Sequence, residues 1–182
     1  LAIVGNLSHQ NDHKFVAHQL FLSGGPLAIL PLKGRRSTFV WSLPTDIGNK
    51  LCKYEDEIFI NYLKENIGDI LKNPSLTGEK KMFPLYLRFL RDSIGKRKVF
   101  IGDSAQTVHP LAGQGLNLGL RDVASLVDIL LKGKKLGLDL GSTDLLKNYE
   151  SWRSFDRISL ATYTDLINAL FSNNNLYLKT IR

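Results

Sequence analysis

Cysteine is nearly absent from this chain, since Cys52 is the single thiol among 182 residues. One thiol excludes an internal disulfide framework and a metal site built from clustered cysteines, and it suits a reducing compartment. We expect Cys52 to be a buried or half-buried residue of a helix over residues 46–54, without a catalytic role. Long apolar runs are also missing, because none approaches the ~18–20 residues of a membrane-spanning helix.

Acidic side chains are fewer than basic ones, 17 against 24, which gives a net charge of +7. The basic clusters lie at 33–36, 80–81, 96–98 and 132–135, each at a predicted turn or helix end. Solvated turns are the simplest interpretation, and attraction to an anionic membrane surface, at about 1 kcal/mol per nearby basic residue, is the alternative. Nucleic acid is not an expected partner, because we find neither a recognition module nor aromatic residues interleaved with the charge.

The residues of a nucleophilic or metal-assisted active site are not evident either. The four histidines, His9, His13, His18 and His109, are scattered along the chain. No Ser/His/Asp set stands in a recognisable context. The sequence therefore predicts neither a catalytic triad nor a metal centre.

One run of residues carries most of the information in this chain. Residues 102–117 read G-D-S-A-Q-T-V-H-P-L-A-G-Q-G-L-N, after an apolar strand and before an amphipathic helix over 118–131. Asp103 can accept hydrogen bonds from sugar-type hydroxyls, while Gly113 and Gly115 let the backbone approach a flat ring. The free N–H groups of the following helix add the positive end of its dipole. The layout suits a polar, electron-deficient cofactor, and the alternative is an ordinary turn capped by Asp103.

This run resembles the second FAD fingerprint of the flavoprotein aromatic hydroxylases, the p-hydroxybenzoate hydroxylase class. The longer string H-P-L-A-G-Q-G-L-N-L-G-L-R-D-V-A at 109–124 is more similar to one branch, the ubiquinone-biosynthesis hydroxylases. Segments elsewhere are similar to the same branch, namely 25–32, 40–44, 83–85, 164–165 and 170–172. The resemblance therefore covers nearly the whole chain.

The resemblance implies an α/β fold in two parts. Residues 1–96 are expected to form an α+β substrate-binding domain, and 97–182 the C-terminal part of a doubly wound FAD-binding domain. The chain has no strand–GxGxxG–helix unit, with which this class binds the ADP part of FAD. Because it also begins at Leu1 in a strand-like segment and stops at Arg182 in a helical pattern, we expect a piece of a longer protein that alone binds FAD poorly.

The resemblance also implies hydroxylation of a polyprenylated phenol in ubiquinone biosynthesis through a flavin C4a-hydroperoxide. FAD would be the cofactor, NAD(P)H the electron donor and O2 the co-substrate. Expected partners are the lipophilic prenylated phenol and other ubiquinone-biosynthesis proteins, in the cytoplasm or at the surface of an inner membrane. The alternatives are another flavoprotein of this fold, such as a small-aromatic hydroxylase or an isoprenoid reductase, and a non-catalytic fragment.

The site residues that the resemblance implies lie in the run at 102–117. The backbone of Pro110 is expected on the substrate side of the flavin, as the catalytic position. The predicted cofactor-binding residues are Gly102, Asp103, Pro110, Gly113, Gln114, Gly115, Leu116 and Asn117. Two positions depart from the family's pattern, because Gln106 replaces a frequent histidine and Leu20 a usual arginine. Since glutamine does not titrate near neutral pH, a role for a charged imidazole is not expected here.

Periodicity and turn residues predict the local structure. Strands at 27–32 and 37–43 should form a hairpin around 33–36, and a helix should end near Gly68. A helix start capped by Thr45 or Asp46 and strands at 82–90 and 99–101, the latter buried, are also predicted. A long helix should begin near Thr143 with Ser142 as cap and break at 173–175, before a last helical turn that begins near Leu176. Trp41 and Trp152 should be core residues.

Overall fold

Helices and strands are both present in the computed structural model, which describes residues 1–22, 24–108 and 113–172. The predicted α/β class is confirmed. The chain divides into two compact units, with Leu1–Leu85 making up most of the first and Tyr86–Asn168 forming the second. The assignment of 1–96 to substrate binding and 97–182 to FAD binding stays a prediction.

An antiparallel sheet forms the base of the first unit. Its strands are β1 (Ala2–Ser8), β2 (His18–Leu22), β3 (Gly25–Leu32), β4 (Arg36–Ser42), β5 (Ser75–Leu76) and β6 (Lys81–Phe83). They follow the order β2-β3-β4-β1-β5, and β6 also pairs with β1. Side chains alternate between faces in β4, where Ser37, Phe39 and Trp41 are buried, as the two-residue period of a strand requires.

The hairpin predicted at 27–43 is confirmed. Strands β3 and β4 pair from Leu27 opposite Trp41 to Leu32 opposite Arg36. The turn between them contains Gly34 at φ +79°, a conformation that favours glycine. The basic cluster at 33–36 therefore lies at a hairpin turn, as its composition indicated.

Two helices complete the first unit, α1 (Thr45–Lys53) and α2 (Asp56–Ile67). The N-cap position of α1 is Pro44, so the prediction that Thr45 or Asp46 caps this helix is wrong. Proline suits this place because its extended conformation leads into the helix and its carbonyl accepts from the N–H of Gly48. Cys52 lies in α1, half-buried against the core, as predicted.

The core of this unit contains apolar residues of both the sheet and the helices. Phe59 of α2 is fully buried, with its ring centroid 5.5 Å from that of Phe39 and 6.4 Å from that of Trp41. The predicted core position of Trp41 is confirmed. The buried cluster consists of Ile3, Leu7, Leu27, Ile29, Phe39, Trp41, Leu43, Leu51, Phe59, Ile60, Leu63, Ile67 and Leu71.

Helix α2 ends where the sequence predicts, at Gly68. This residue has φ +56° and ψ −134°, and its N–H donates to the carbonyl of Lys64. Only glycine occupies this part of conformational space readily, because a Cβ would meet its own backbone. The end of α2 is thus set by one residue with no side chain.

Gly68→Ala is therefore expected to lower the free energy of unfolding by about 1–3 kcal/mol through backbone strain alone. A Cβ at position 68 would have no other atom within 4 Å, so no steric clash adds to the effect. Urea unfolding followed by circular dichroism measures the change. Gly95→Ala is the control, because Gly95 does not have a positive φ, and it should change stability by less than about 0.5 kcal/mol. Equal effects of the two substitutions would contradict this explanation.

The second unit has two long helices, α3 (Gln114–Lys135) and α4 (Thr143–Ser172), beside short strands. The strands are β7 (Arg88–Phe89), β8 (Ile94–Gly95), β9 (Lys98–Val99) and β10 (Gln106–Thr107). Strand β10 pairs with β7, and β9 with β8, both antiparallel. Helix α4 begins at Thr143, as predicted, and the carbonyl of Ser142 accepts from the N–H of Leu146. The predicted break at 173–175 and the helical turn predicted near Leu176 lie outside the described residues.

Two strand predictions in this region are wrong. Residues 82–90 do not form one strand, because β6 ends at Phe83 and the following Pro84 has no N–H to donate to a ladder. Residues 99–101 do not form a buried strand of a parallel sheet. Val99 pairs only with Ile94 of an antiparallel hairpin, and Phe100 is 41% exposed, because no further described strand lies beside it.

The predicted core position of Trp152 is also wrong. Its side chain is 52% exposed, whereas Leu146 and Tyr149 of the same helix are buried. Helix α3 similarly has apolar residues on an exposed face, from Leu116 to Leu131, besides its buried face. The apolar residues of α3 and α4 are therefore not all buried, and their presence alone does not show which face of a helix packs against a neighbour.

Candidate functional site

A single tight turn forms the start of the run at residues 102–117. Gly102–Ser104 make one turn of 3₁₀-helix after the extended residue Ile101, and the N–H of Ala105 donates to the carbonyl of Gly102 at 2.9 Å. Gly102 has φ +57°. A Cβ built on Gly119 of α3 would lie 3.5 Å from the Gly102 Cα. The turn therefore packs in van der Waals contact with the second turn of α3, and its positive φ favours glycine at position 102.

Asp103 occupies the exposed side of this turn. It lines a cavity of about 510 Å³ together with residues 87–90 and 104–107. Within the part of the chain that the structure describes, its carboxylate has no hydrogen-bonding or ionic partner. An ionised carboxylate has lone pairs for several donors, so Asp103 is available to accept hydrogen bonds from hydroxyl groups of a ligand.

The N-terminus of α3 is the second part of the site. Gly113 occupies the N-cap position at φ 61° and ψ 31°, without a side-chain cap hydrogen bond. The first backbone N–H groups of a helix have no partner within it, and the dipole adds partial positive charge. The first turn of α3 contains no acidic residue, and a Cβ at Gly115 would meet open space. This helix end can therefore receive a ligand atom that carries negative charge.

The sequence-predicted site residues fall into these two elements of one compact unit. Gly102 and Asp103 belong to the turn. Gly113, Gln114, Gly115, Leu116 and Asn117 lie at the start of α3, where Asn117 Nδ2 donates to Gln114 Oε1 at 3.3 Å. Leu116 is 74% exposed. Pro110, the predicted catalytic position, and His109 lie outside the described residues. The roles assigned to all these residues stay predictions.

A buried ionic cluster connects α3 to α4 behind the turn. Asp122 is fully buried, and its Oδ1 accepts from Arg153 Nε at 2.7 Å, with Arg157 Nη2 at 3.7 Å. Its Oδ2 accepts from the backbone N–H of Gly102 at 2.9 Å and from Gln106 Nε2 at 3.4 Å. The side chain of Gln106 is thus buried beneath the turn.

We did not predict this cluster from the sequence, although one signal for it is present. The buried residues of α3 recur at helical spacing, and Asp122 and Ser125 fall between the apolar positions Leu118 and Ile129 on that face. An acid on the buried face of a helix needs a buried partner. The pattern could therefore have shown that Asp122 is paired, but not that Arg153 is the partner.

Arg153 is shared between two carboxylates. Burial acts to lower its pKa, but hydrogen bonds to Asp122 and Asp156 outweigh that effect and raise the pKa. Burial likewise acts to raise the pKa of Asp156, but the hydrogen bond and charge of Arg153, with the charge of Arg121, lower it below 3.8. Burial raises the pKa of Tyr149, whose hydroxyl oxygen accepts from Arg157 Nη2 at 3.2 Å.

The lowered pKa of Asp156 predicts an acid-sensitive contribution to stability. It is present above the unfolded-state pKa of about 3.8 and is lost as the pH falls through the lower folded-state pKa. Asp156→Asn should therefore lower stability at neutral pH, by about 1 kcal/mol at most because the pair is partly exposed. The difference from wild type should shrink as the pH falls below 3.8 and vanish once the pH is below the folded-state pKa. Urea unfolding across this range measures it, and a difference that persists at the lowest pH would contradict the assignment.

Two of the four histidines have structural roles. His9 Nε2 lies 3.0 Å from Ser37 Oγ, and its Nδ1 lies 2.9 Å from the Asn11 carbonyl. His13 Nδ1 accepts from the N–H of Phe15, so Nε2 carries the proton toward the carbonyls of Leu32 and Gly34. Within the described residues, no group of three or more His, Cys, Asp or Glu side chains could hold a metal.

A family model described as an FAD binding domain matches residues 2–156. The chain belongs to the FAD-binding domain family. Its curated relatives include the ubiquinone hydroxylase UbiL of Rhodospirillum rubrum, 38% identical over 173 residues, covering 95% of this chain and 40% of UbiL. Another is the mitochondrial ubiquinone biosynthesis monooxygenase COQ6 of Homo sapiens, 31% identical, covering 87% of this chain and 41% of COQ6. The chain thus spans about two fifths of the length of these relatives.

Solved structures of flavoproteins share the fold of this chain. PqsL from Pseudomonas aeruginosa, in complex with 2-aminobenzoylacetate, superposes with a TM-score of 0.79 at 21% identity. The match covers 94% of this chain and 48% of PqsL. No described helix is both long and apolar enough to cross a membrane.

The residues present fit part of an FAD molecule. The Asp103 carboxylate, which has no partner among the described residues, matches the hydroxyls of a ribityl chain. The first N–H groups of α3, which have no partner within the helix, match the electron-rich edge of a flavin ring. Open space at Gly113 and Gly115 leaves room for close approach of a ring. In the described part of the chain, the two elements thus supply donors and an acceptor for the flavin half of FAD.

Proposed function

We propose that this chain contributes the flavin-ring half of an FAD-dependent monooxygenase that hydroxylates a polyprenylated phenol in ubiquinone biosynthesis. The observation that carries the proposal is that one compact unit contains both Asp103, an exposed acid without a partner among the described residues, and the start of α3, the helix against which the Asp103 turn packs. The similarity to a ubiquinone hydroxylase and to ubiquinone biosynthesis monooxygenases supports the substrate class.

Bound FAD would supply the redox chemistry, taking electrons from NAD(P)H and delivering one oxygen atom of O2 to the ring. Asp103 would accept hydrogen bonds from the ribityl hydroxyls and orient the ring system. The N–H groups at the start of α3 would stabilise negative charge on the pyrimidine edge of the flavin. The Pro110 carbonyl would face the substrate ring. Gly113 and Gly115 would let the backbone come close enough for these contacts.

The partners proposed for this activity follow from the substrate. A prenylated phenol is lipophilic, so the protein would meet it at a membrane surface, alone or with other ubiquinone-biosynthesis proteins. The basic turns support this location, since Lys33, Arg35 and Arg36 lie at an exposed hairpin end. Two other basic residues lie in ion pairs, Arg97 with Asp139 at 2.6 Å and Lys132 with Asp128 at 2.7 Å, so an acidic neighbour offsets their charge.

An oxygen-incorporation assay tests the proposed activity. The chain, and the longest native polypeptide that contains it, are incubated with FAD, NADPH, ¹⁸O₂ and either a prenylated or an unprenylated phenol. We expect ¹⁸O in the ring of the prenylated product and little turnover without the prenyl chain. Preference for the unprenylated phenol would favour a small-aromatic hydroxylase. Flavin binding without ring oxygenation of either phenol would contradict the monooxygenase proposal.

A further inference from the structure

Asp122 has a different set of partners on each of its carboxylate oxygens. Oδ1 faces Arg153 and Arg157 of α4, while Oδ2 accepts from the Gly102 N–H and the Gln106 side chain. A fully buried carboxylate is tolerated only when its charge is paired and its lone pairs are used. Oδ1 is paired with the arginines, and Oδ2 accepts from the Gly102 N–H and thereby holds the turn.

The turn has two points of attachment on the same face of α3. Gly102 packs against Gly119, and its N–H donates to Asp122, three residues further along the helix. The first contact limits how close the turn lies, and the second fixes where it lies along the helix axis. Asp103 follows Gly102 directly, so the position of its carboxylate relative to the N-terminus of α3 depends on both contacts.

We propose that Asp122 is a positioning residue of the flavin site, acting through the Gly102 N–H to hold Asp103 in register with the start of α3. The inference rests on the proposed function. Asparagine cannot replace the carboxylate, because its single oxygen could serve either Arg153 or Gly102 while its NH₂ group would face donors on the other side. A residue that merely neutralised the arginines would need no bond to Gly102.

Two observables separate positioning from a general structural role. A general loss of stability would speed hydrogen exchange across the whole unit, whereas loss of positioning affects the Gly102 N–H first. Misplacement of Asp103 would also weaken flavin binding. Asp128 offers a matched control, because it is an acid of the same helix that is paired only with the exposed Lys132.

The experiment compares wild type, Asp122→Asn and Asp128→Asn by amide hydrogen exchange in NMR spectra and by titration with FAD. In Asp122→Asn we expect the Gly102 N–H to exchange at least about tenfold faster, while amides of the same unit away from the turn, those of α3 beyond Ile129, keep their rates. The FAD affinity should fall about tenfold to hundredfold, the range for a lost hydrogen bond to a charged group. Asp128→Asn should change neither quantity.

Each contrary result has a distinct meaning. If the Gly102 N–H of the wild type exchanges as fast as an exposed amide, the bond is absent and the proposal fails, whether or not the variant folds. Unchanged exchange at Gly102 and unchanged FAD affinity in Asp122→Asn would also overturn it. Failure of the longest native polypeptide that contains this chain to bind FAD would count against the proposed function instead, and the exchange at Gly102 would still decide the role of Asp122 in holding the turn.

Discussion

Replacing Asp103 by alanine is expected to weaken FAD binding about tenfold to hundredfold and to leave the fold intact. The loss corresponds to about 1.5–3 kcal/mol, the contribution of hydrogen bonds to a charged group. Stability should stay within about 0.5 kcal/mol of wild type, because the side chain is exposed and none of the described residues bonds to its carboxylate. Flavin fluorescence titration measures the affinity, and urea unfolding measures the stability.

Asp92→Ala is the matched control for this substitution. Asp92 is another exposed acid of the same unit, so its removal changes the net charge equally. It lies outside the turn and the first turn of α3, and FAD affinity should therefore stay unchanged. An equal loss of affinity in both variants would mean that general electrostatics, and not a contact by Asp103, accounts for flavin binding.

Arg153→Met is expected to destabilise the second unit by about 3–5 kcal/mol. Methionine fills much of the space of the arginine stem, but it leaves the Asp122 charge buried without its nearest cation, which lies at 2.7 Å in the wild type. Arg157 lies 3.7 Å from the same carboxylate oxygen and compensates only in part. Urea unfolding, followed by a signal from the second unit, measures the loss.

Two further variants sharpen the interpretation of Arg153→Met. Arg121→Met removes an arginine that is 57% exposed and pairs with Asp156 at 3.4 Å, so it should cost at most about 1 kcal/mol. The double variant Asp122→Asn, Arg153→Met should be more stable than the sum of the single losses predicts, because no unpaired charge remains. Additive losses, or a loss below 1 kcal/mol for Arg153→Met, would contradict the buried ion pair.

Features that depend on a few neighbouring residues could be predicted from the sequence. The hairpin over 27–43 depends on two apolar strands and a turn with Gly34, and the end of α2 depends on Gly68. The turn at Gly102–Ser104 and the start of α3 follow from glycines and an acid at short spacing. In each case the decisive interaction lies within a few residues of the signal.

Features that depend on distant residues could not be predicted in this way. The apolar residues Val99, Phe100 and Ile101 favour a strand, but burial requires neighbouring strands on both sides, which the segment itself does not specify. Trp152 lies on an exposed face of α4 because the covered face is set by the partner helix and not by side-chain size. The bond between Asp122 and Arg153 spans 31 residues, so spacing along α3 could not identify the partner.

We propose that the Gly102–Ser104 turn and the start of α3 hold the flavin. Titration of the ¹⁵N-labelled chain with FAD, followed through its amide resonances, tests this proposal. NMR detects weak binding, so the measurement does not depend on tight affinity. We expect the largest shifts at Gly102, Asp103 and residues 113–117, with small shifts throughout the first sheet. Shifts centred elsewhere, or no shifts at saturating FAD, would contradict it.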